Sequence, residues 1–163
     1  SGKLATSIKK RPLPNSSDLN DVTSEDVCLA NIEISNYSSN LIPCQVSLSS
    51  ISKNGRGFSL EIYGSEGSLI LKSENQKDYV HGFNLKYSNN ENKIQNLTAD
   101  SSFNFEKTWT DGRIAPVLRI QNLWAQSIIN GTPVIPGLCE GLASHKVCEA
   151  IRESSKSGLS IKI

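Results

Sequence analysis

The sequence lacks several features that mark particular classes of protein. It contains no methionine, and no window approaches the roughly 18 consecutive apolar residues that a membrane-spanning helix requires. It has no basic excess, because 17 Lys and Arg residues are balanced by 16 Asp and Glu residues. We therefore expect neither a nucleic-acid partner nor a membrane partner. Without an initiator methionine, we also expect the chain to be part of a longer protein.

The cysteines do not have the spacing of a zinc site or of a CxxC redox pair. Cys28, Cys44, Cys139 and Cys148 instead predict isolated, core-facing free thiols in a reducing compartment, and hence a cytoplasmic protein. Residues 1–11 lack the apolar core of a signal peptide, which supports this interpretation. The alternative is a secreted β-rich adhesive domain with disulfides, which the Ser and Asn content and the four Asn-x-Ser/Thr sequons would suit.

The first 26 residues predict an irregular segment. Residues 2–8 alternate weakly and are compatible with one strand, but Pro12 and Pro14 then interrupt any regular pattern. Residues 15–26 are rich in Ser, Asn and Asp and contain few apolar side chains, which is typical of a surface loop. The regular part of the fold is therefore expected over residues 27–163, as one domain.

Five segments after residue 26 alternate between apolar and polar residues, the pattern of half-buried strands. These segments are residues 27–34, 44–51, 57–63, 68–72 and 79–87. Gly64 and Gly67 enclose two polar residues and predict a hairpin turn between the third and fourth strands. Since each segment has one polar side, we expect mostly antiparallel pairing in a sheet with one solvated face.

After Asp111 the apolar period changes from two to 3.6 residues, which predicts helices. Glycine closes each of them, with Gly131 after a helix over 116–130 and Gly158 after a helix over 141–157. The alternating residues 159–163 predict a last strand. The sequence thus predicts an α+β two-layer sandwich: a largely antiparallel, mixed, open sheet with helices on one face. The uncovered face would suit another domain or subunit.

No catalytic, cofactor-binding or metal-binding residue can be assigned from spacing. His81 and His145 have no neighbours that would complete a metal site or a base–nucleophile pair, and common hydrolase and nucleotide-binding motifs do not occur. Arg56 lies between two glycines and is interpreted as part of a hairpin turn rather than an anion site. Trp109 and Arg113, before the first helix, are candidate substrate-binding residues, although the favoured interpretation of this segment is that Trp109 packs and Asp111 caps the helix.

Three stretches of the last third occur in a familiar order. They are NLWAQSIINGTP at 122–133, PGLCEGLA at 136–143 and VCEAIRESSKSG at 147–158. This order resembles the C-terminal end of the Gfo/Idh/MocA oxidoreductases, and FSLEIYGSEGSL at 58–69 is similar to a hairpin of the same family. Glu140 stands where the family usually has Asp. The resemblance spans most of residues 27–163.

The resemblance implies a C-terminal fragment of a two-domain NAD(P)-dependent dehydrogenase of a sugar, polyol or related compound. The family's N-terminal Rossmann domain holds NAD or NADP, so no cofactor is expected in this fragment. Its Glu-Lys-Pro and Asp-x-x-x-His motifs do not occur here, so the fragment alone is expected to be inactive. The implied role is a wall for a small-molecule substrate, with Trp109 and Arg113 near it, and a homo-oligomer interface on the open sheet face. The alternative is a non-catalytic oligomerisation domain.

Overall fold

The structure, a computed structural model, describes residues 1–35, 40–75, 81–89, 91, 93–98 and 110–163. In chain order its elements are β1 (Gly2–Ala5), β2 (Lys10–Pro12), β3 (Leu19–Asp21), β4 (Val27–Ser35), β5 (Leu41–Ser49), β6 (Phe58–Gly64), β7 (Gly67–Ser73), β8 (Asn84–Asn89), β9 (Ile94–Leu97), α1 (Ile114–Asn130) and α2 (Leu138–Ser157). These strands pair antiparallel in the sheets β1-β4-β5, β2-β3 and β6-β7-β8-β9. The predicted α+β class is confirmed. Phe103 and Phe105 predict one more short strand from the sequence, and these residues lie outside the described ones.

The chain divides into two compact units. Unit 1 consists of Ser1–Lys53 and Ile135–Ile163, and unit 2 consists of Asn54–Val134. Unit 1 therefore holds β1 to β5 and α2, while unit 2 holds β6 to β9 and α1. The grouping of residues 27–163 as one domain stays a prediction.

In unit 1, helix α2 closes the outer edge of β1. The backbone N–H groups of Gly2 and Leu4 donate to the Ser154 and Ser155 hydroxyl oxygens, each at 2.9 Å. A β-carbon at Gly2 would lie 2.9 Å from the Ile151 side chain, so glycine permits this close approach. The edge of the sheet thus finds its hydrogen-bond partners on a helix rather than on another strand.

Residues 1–26 contain more regular structure than the sequence predicted, since β1, β2 and β3 all lie there. The physical reason is a contact at long sequence separation. The buried Asp26 carboxylate accepts hydrogen bonds from the backbone N–H groups of Ser7 and Ile8, at 2.9 Å. The Asp26 N–H donates to the Ala5 carbonyl, also at 2.9 Å. Asp26 therefore fixes the chain between β1 and β2, which alternation within a short window cannot reveal.

In unit 2, the four-stranded meander begins with the predicted hairpin, in which Gly64 faces Gly67. Gly67 has a φ of +158°, and a β-carbon there would lie 2.2 Å from the Ser88 carbonyl oxygen of β8. Cross-strand partners point to the same face of a sheet, so the register defines an apolar face and a polar face. The apolar face carries Phe58, Leu60, Ile62, Leu69, Leu71, Leu85 and Leu97.

Both helices end as predicted, because Gly131 and Gly158 adopt left-handed conformations with φ of +63° and +74°. Helix α2 begins three residues earlier than predicted, and the Glu140 carboxylate accepts a 2.7 Å hydrogen bond from the Gly137 N–H. The predicted last strand is wrong. The Leu159 carbonyl accepts from the Ser154 hydroxyl and the Leu159 N–H donates to Ser157, so these groups serve the end of α2. No helix among the described residues is long and apolar enough to span a membrane.

Candidate functional site

The segment before α1 holds one of the two substrate-binding candidates, Arg113, in a defined geometry. The Asp111 carboxylate pairs with the Arg113 guanidinium through two atoms, with Nε to Oδ1 at 2.9 Å and Nη2 to Oδ2 at 2.6 Å. Asp111 Oδ1 also accepts from the Arg113 backbone N–H at 3.0 Å. Such a two-point pair fixes the plane of the guanidinium as well as its position. Trp109, the other candidate, lies outside the described residues.

The expected capping role of Asp111 is only partly met. Its carboxylate accepts from the N–H of Arg113, the residue before α1, and its carbonyl accepts from Ile114 at 3.2 Å. The hydrogen bonds of the Arg113 side chain lower the pKa of Asp111 to about 2. Asp111 is therefore ionised at neutral pH and unsuited to donate a proton. Its role is to hold Arg113, whose side chain remains 68% exposed.

The histidines and cysteines form no cluster that could bind a metal within the described ranges. His81 is half-buried and His145 is exposed on α2. All four cysteines are free. The expectation that they face a core is wrong for Cys139 and Cys148, because both are exposed on α2, whereas the two on β4 and β5 are half-buried.

Spacing did not single out a polar cluster on the β6-β7-β8-β9 sheet. Glu61 of β6 accepts hydrogen bonds from the Tyr63 hydroxyl at 2.7 Å and the Ser59 hydroxyl at 3.0 Å, and it pairs with Lys72 at 3.2 Å. The Tyr63 hydrogen bond is the largest of the effects that lower the pKa of Glu61 to about 2. The cluster could have been predicted from the alternation of Ser59, Glu61 and Tyr63, because alternate residues of a strand lie on the same side. The Glu61 carboxylate thus has three polar partners and a lowered pKa, which makes it unsuited to proton transfer.

The apolar face of the same sheet is open in the part of unit 2 that the structure describes. Phe58 is 49%, Leu60 48% and Ile62 55% exposed. Helix α1 also keeps its apolar residues at least partly exposed, including Val117 and Ile128. Contiguous exposed apolar surface of this kind is typical of a contact surface for another protein or domain.

Comparison with known proteins identifies the chain through its sequence. The sequence model of the oxidoreductase family, C-terminal alpha/beta domain, matches residues 5–163. The chain belongs to this family. It is also 38% identical over 152 residues to the "Uncharacterized oxidoreductase sll0816" of Synechocystis sp. (strain ATCC 27184 / PCC 6803 / Kazusa). No solved structure matches the chain significantly.

The Synechocystis match covers very different shares of the two proteins. It takes in 93% of this chain but 40% of the relative. The chain thus spans about two fifths of the length of the curated relative that it matches. The resemblance stated from the motifs at 58–69 and 122–158 is confirmed, as is the assignment of this chain to the C-terminal domain of the family.

Proposed function

We propose that this chain is the C-terminal part of an NAD(P)-dependent oxidoreductase that acts on a sugar, a polyol or a related small molecule. One observation carries the proposal: the family match extends over residues 5–163 while the oxidoreductase relative is more than twice as long. The remaining length of such a relative provides room for a Rossmann domain. In this proposal the present chain supplies a wall of the substrate site and a subunit interface.

The nicotinamide dinucleotide does not fit the helix N-termini of this chain. A dinucleotide pyrophosphate binds where a glycine-rich turn presents unpaired backbone N–H groups at the start of a helix. At α2 the Glu140 carboxylate already accepts from the Gly137 N–H, and this hydrogen bond lowers the pKa of Glu140. At α1 the ionised Asp111 lies beside Arg113. A second anion would be repelled by Glu140 at α2, and the neutral Asp111–Arg113 pair gives α1 no glycine-rich turn of free N–H groups, so we assign the cofactor to a Rossmann domain elsewhere in the parent protein.

For the substrate wall, we assign binding roles to Arg113 and to Trp109, which stands four positions before it in the sequence. Asp111 holds the guanidinium in a fixed plane, and a positioned guanidinium can donate to hydroxyl or carbonyl oxygens of a sugar. The aromatic side chain of Trp109 would offer the apolar surface on which a sugar ring can pack. Neither residue transfers a proton in this scheme.

The test uses the longer protein that contains this chain. NADH or NADPH formation is followed by absorbance with a panel of aldoses, polyols and sugar acids, for the wild type and for Arg113→Ala. We expect turnover with a member of the panel, and a roughly tenfold lower kcat/KM in the variant. Arg119→Ala, an arginine within α1, is the matched control and should keep the wild-type kcat/KM. Absence of dinucleotide reduction with every compound would contradict the proposal.

The open sheet face favours a second part of the proposal, a homo-oligomer formed through that face. Phe58, Leu60 and Ile62 present an apolar surface that a second copy of the same chain could bury. The competing candidate is a domain that only mediates such association. The two differ in the assay above, because a purely associating domain would form an oligomer while its parent reduces no dinucleotide.

We also propose a cytoplasmic location, supported by the four free cysteines. Mass spectrometry after alkylation of the protein, isolated without reductant, should find four labelled thiols. Disulfide-linked peptides would instead favour the secreted alternative.

A further inference from the structure

Unit 2 contains an open polar groove next to the Glu61 cluster. It has a volume of about 680 Å³, within the range of small-molecule sites. The residues that line it are Asn54, Gly55, Arg56, Ser59, Lys72, Glu74 and Asn75. Ser59 and Lys72 are cross-strand partners, so the groove opens on the polar face of the sheet.

The groove is shaped by a close approach of the 54–57 segment to the end of β7. Gly57 has a φ of +74°, and a β-carbon there would lie 2.1 Å from the Ser73 carbonyl oxygen. Ser73 is itself buried, and its hydroxyl accepts from the Asn75 N–H at 3.3 Å. The Asn75 side chain donates to the His81 carbonyl at 3.4 Å. Glycine at position 57 thus allows Arg56 to stand beside Glu74 and Asn75.

The charges in the groove are unequally compensated. Lys72 is paired with Glu61, which the Ser59 and Tyr63 hydroxyls also contact. Arg56 and Glu74 make no ion pair with each other or with other residues that the structure describes. Among the described residues, the groove therefore offers the Arg56 guanidinium and the Glu74 carboxylate without ion-pair partners, with amide and hydroxyl groups between them.

We propose that this groove binds a hydroxylated small-molecule anion. The Arg56 guanidinium would bind the oxyanion through two parallel N–H donors, as it does carboxylates and phosphates generally. Lys72 also lines the groove, but its charge is compensated by Glu61. Glu74 would accept hydrogen bonds from the ligand's hydroxyl groups, Asn54 can both donate and accept, and Ser59, which donates its proton to Glu61, can accept. An anion without hydroxyl groups would leave Glu74 without a donor and would be repelled by it.

The proposal can be tested by NMR on the full 163-residue chain, by following backbone amide resonances of residues 54–59 and 72–75. D-Gluconate and D-glucose 6-phosphate are the two charged, hydroxylated probes, and they distinguish a carboxylate from a phosphate group. D-Sorbitol supplies hydroxyls without the charge, and acetate supplies the charge without hydroxyls. We expect saturable shifts with at least one charged sugar derivative, at a Kd at least about tenfold lower than for sorbitol or acetate.

Variants then assign the binding to the groove. Arg56→Ala should raise the Kd about tenfold or more. Arg56→Lys keeps the charge but loses the two-point geometry, so its Kd should lie between those of the wild type and of Arg56→Ala. Lys86→Ala removes an exposed cation from the same sheet face outside the groove and should change the Kd less than twofold. The proposal is overturned if neither charged sugar derivative shifts these resonances, if acetate binds equally well, or if both Arg56 variants bind like the wild type.

Discussion

The two units differ in what borders their sheets. Unit 1 buries Ala30 together with two polar groups that have hydrogen-bond partners, Asp26 and Ser154, and it closes the edge of β1 with hydroxyls of α2. Unit 2 leaves the apolar face of its sheet open, with Leu60 and Ile62 about half exposed. Unit 1 therefore satisfies the β1 edge and these two polar groups from within the chain, although Leu29 and Leu48 of its sheet are also exposed. The open face of unit 2 is the surface at which we propose association.

The physical reason for this difference is the position of the helices. Helix α2 packs along β1, whereas none of the strands described in unit 2 packs closely against α1. A sheet that is solvated on both faces gains little from its apolar residues, because these residues stabilise it only when they are removed from water. Association that removes the apolar face of unit 2 from water would therefore be favourable.

The largest expected effect comes from placing a charge on that face. Leu60→Glu should raise the Kd of the proposed homo-oligomer at least about 100-fold, because a carboxylate without a partner would be buried between the subunits. Lys86→Glu, on the polar face of the same sheet, is the control and should leave association unchanged. Sedimentation equilibrium measures both. If the wild-type chain is monomeric at every concentration measured, the second copy is not the occupant of this face.

The next effect tests how closely β7 and β8 approach each other in the meander of unit 2. Gly67→Ala should destabilise unit 2 by about 2 kcal/mol or more, because its β-carbon would overlap the Ser88 carbonyl of β8. Gly64→Ala is the matched control, since its β-carbon would meet ordinary contact at 3.5 Å. Urea unfolding followed by circular dichroism gives both values. Equal stabilities of the two variants would contradict the close approach of β7 and β8.

The sequence predicted the features that depend on neighbouring residues. Gly131 and Gly158 marked the helix ends, and Gly64 with Gly67 marked the hairpin, because left-handed or tight backbone conformations select glycine locally. The β5 strand was predicted to begin at Cys44 but begins three residues earlier and includes Pro43. A proline is tolerated there because β5 lies at the edge of its sheet, and edge position cannot be read from spacing.

The candidate site residues also differ in whether their arrangement depends on neighbouring residues or on residues far apart in the sequence. Asp111 and Arg113 are two residues apart and could be singled out together, although the sequence did not reveal their two-point pairing. The prediction that Arg56 lies in a hairpin turn is wrong, because it lies in the connection between β5 and β6, which belong to different sheets. Its position on a groove depends on the approach of Gly57 to Ser73, sixteen residues further along. Only the folded chain brings these two segments together.

A smaller effect tests the closed edge of unit 1. Ser154→Ala should cost about 2 kcal/mol, because the buried Gly2 N–H and the Leu159 carbonyl would lose their hydrogen-bond partner. Ser144→Ala is a control on the same helix, where the exposed hydroxyl donates to the Glu140 carbonyl within α2. Differential scanning calorimetry should show a lower Tm for the first variant and a change of less than about 1 °C for the second. Similar Tm values would show that α2 does not seal the β1 edge.

The smallest expected effect at neutral pH comes from Asp26→Asn, because the neutral amide can still accept from one of the two backbone N–H groups. Hydrogen bonds from Ile8 and Ser7 lower the pKa of Asp26 below its ordinary 3.8 in the folded protein. The carboxylate's contribution to stability is therefore fully present above that value and is lost as the pH falls through the folded pKa.

The free energies of unfolding of the wild type and the variant, measured in urea from pH 7 to pH 3, should thus differ by a constant amount above about pH 5 and converge below about pH 4. Glu61 and Asp111, whose pKa values are lowered to about 2, titrate equally in both proteins and cancel in the difference. A difference that does not change with pH would mean that the charge on Asp26 does not hold the chain between β1 and β2.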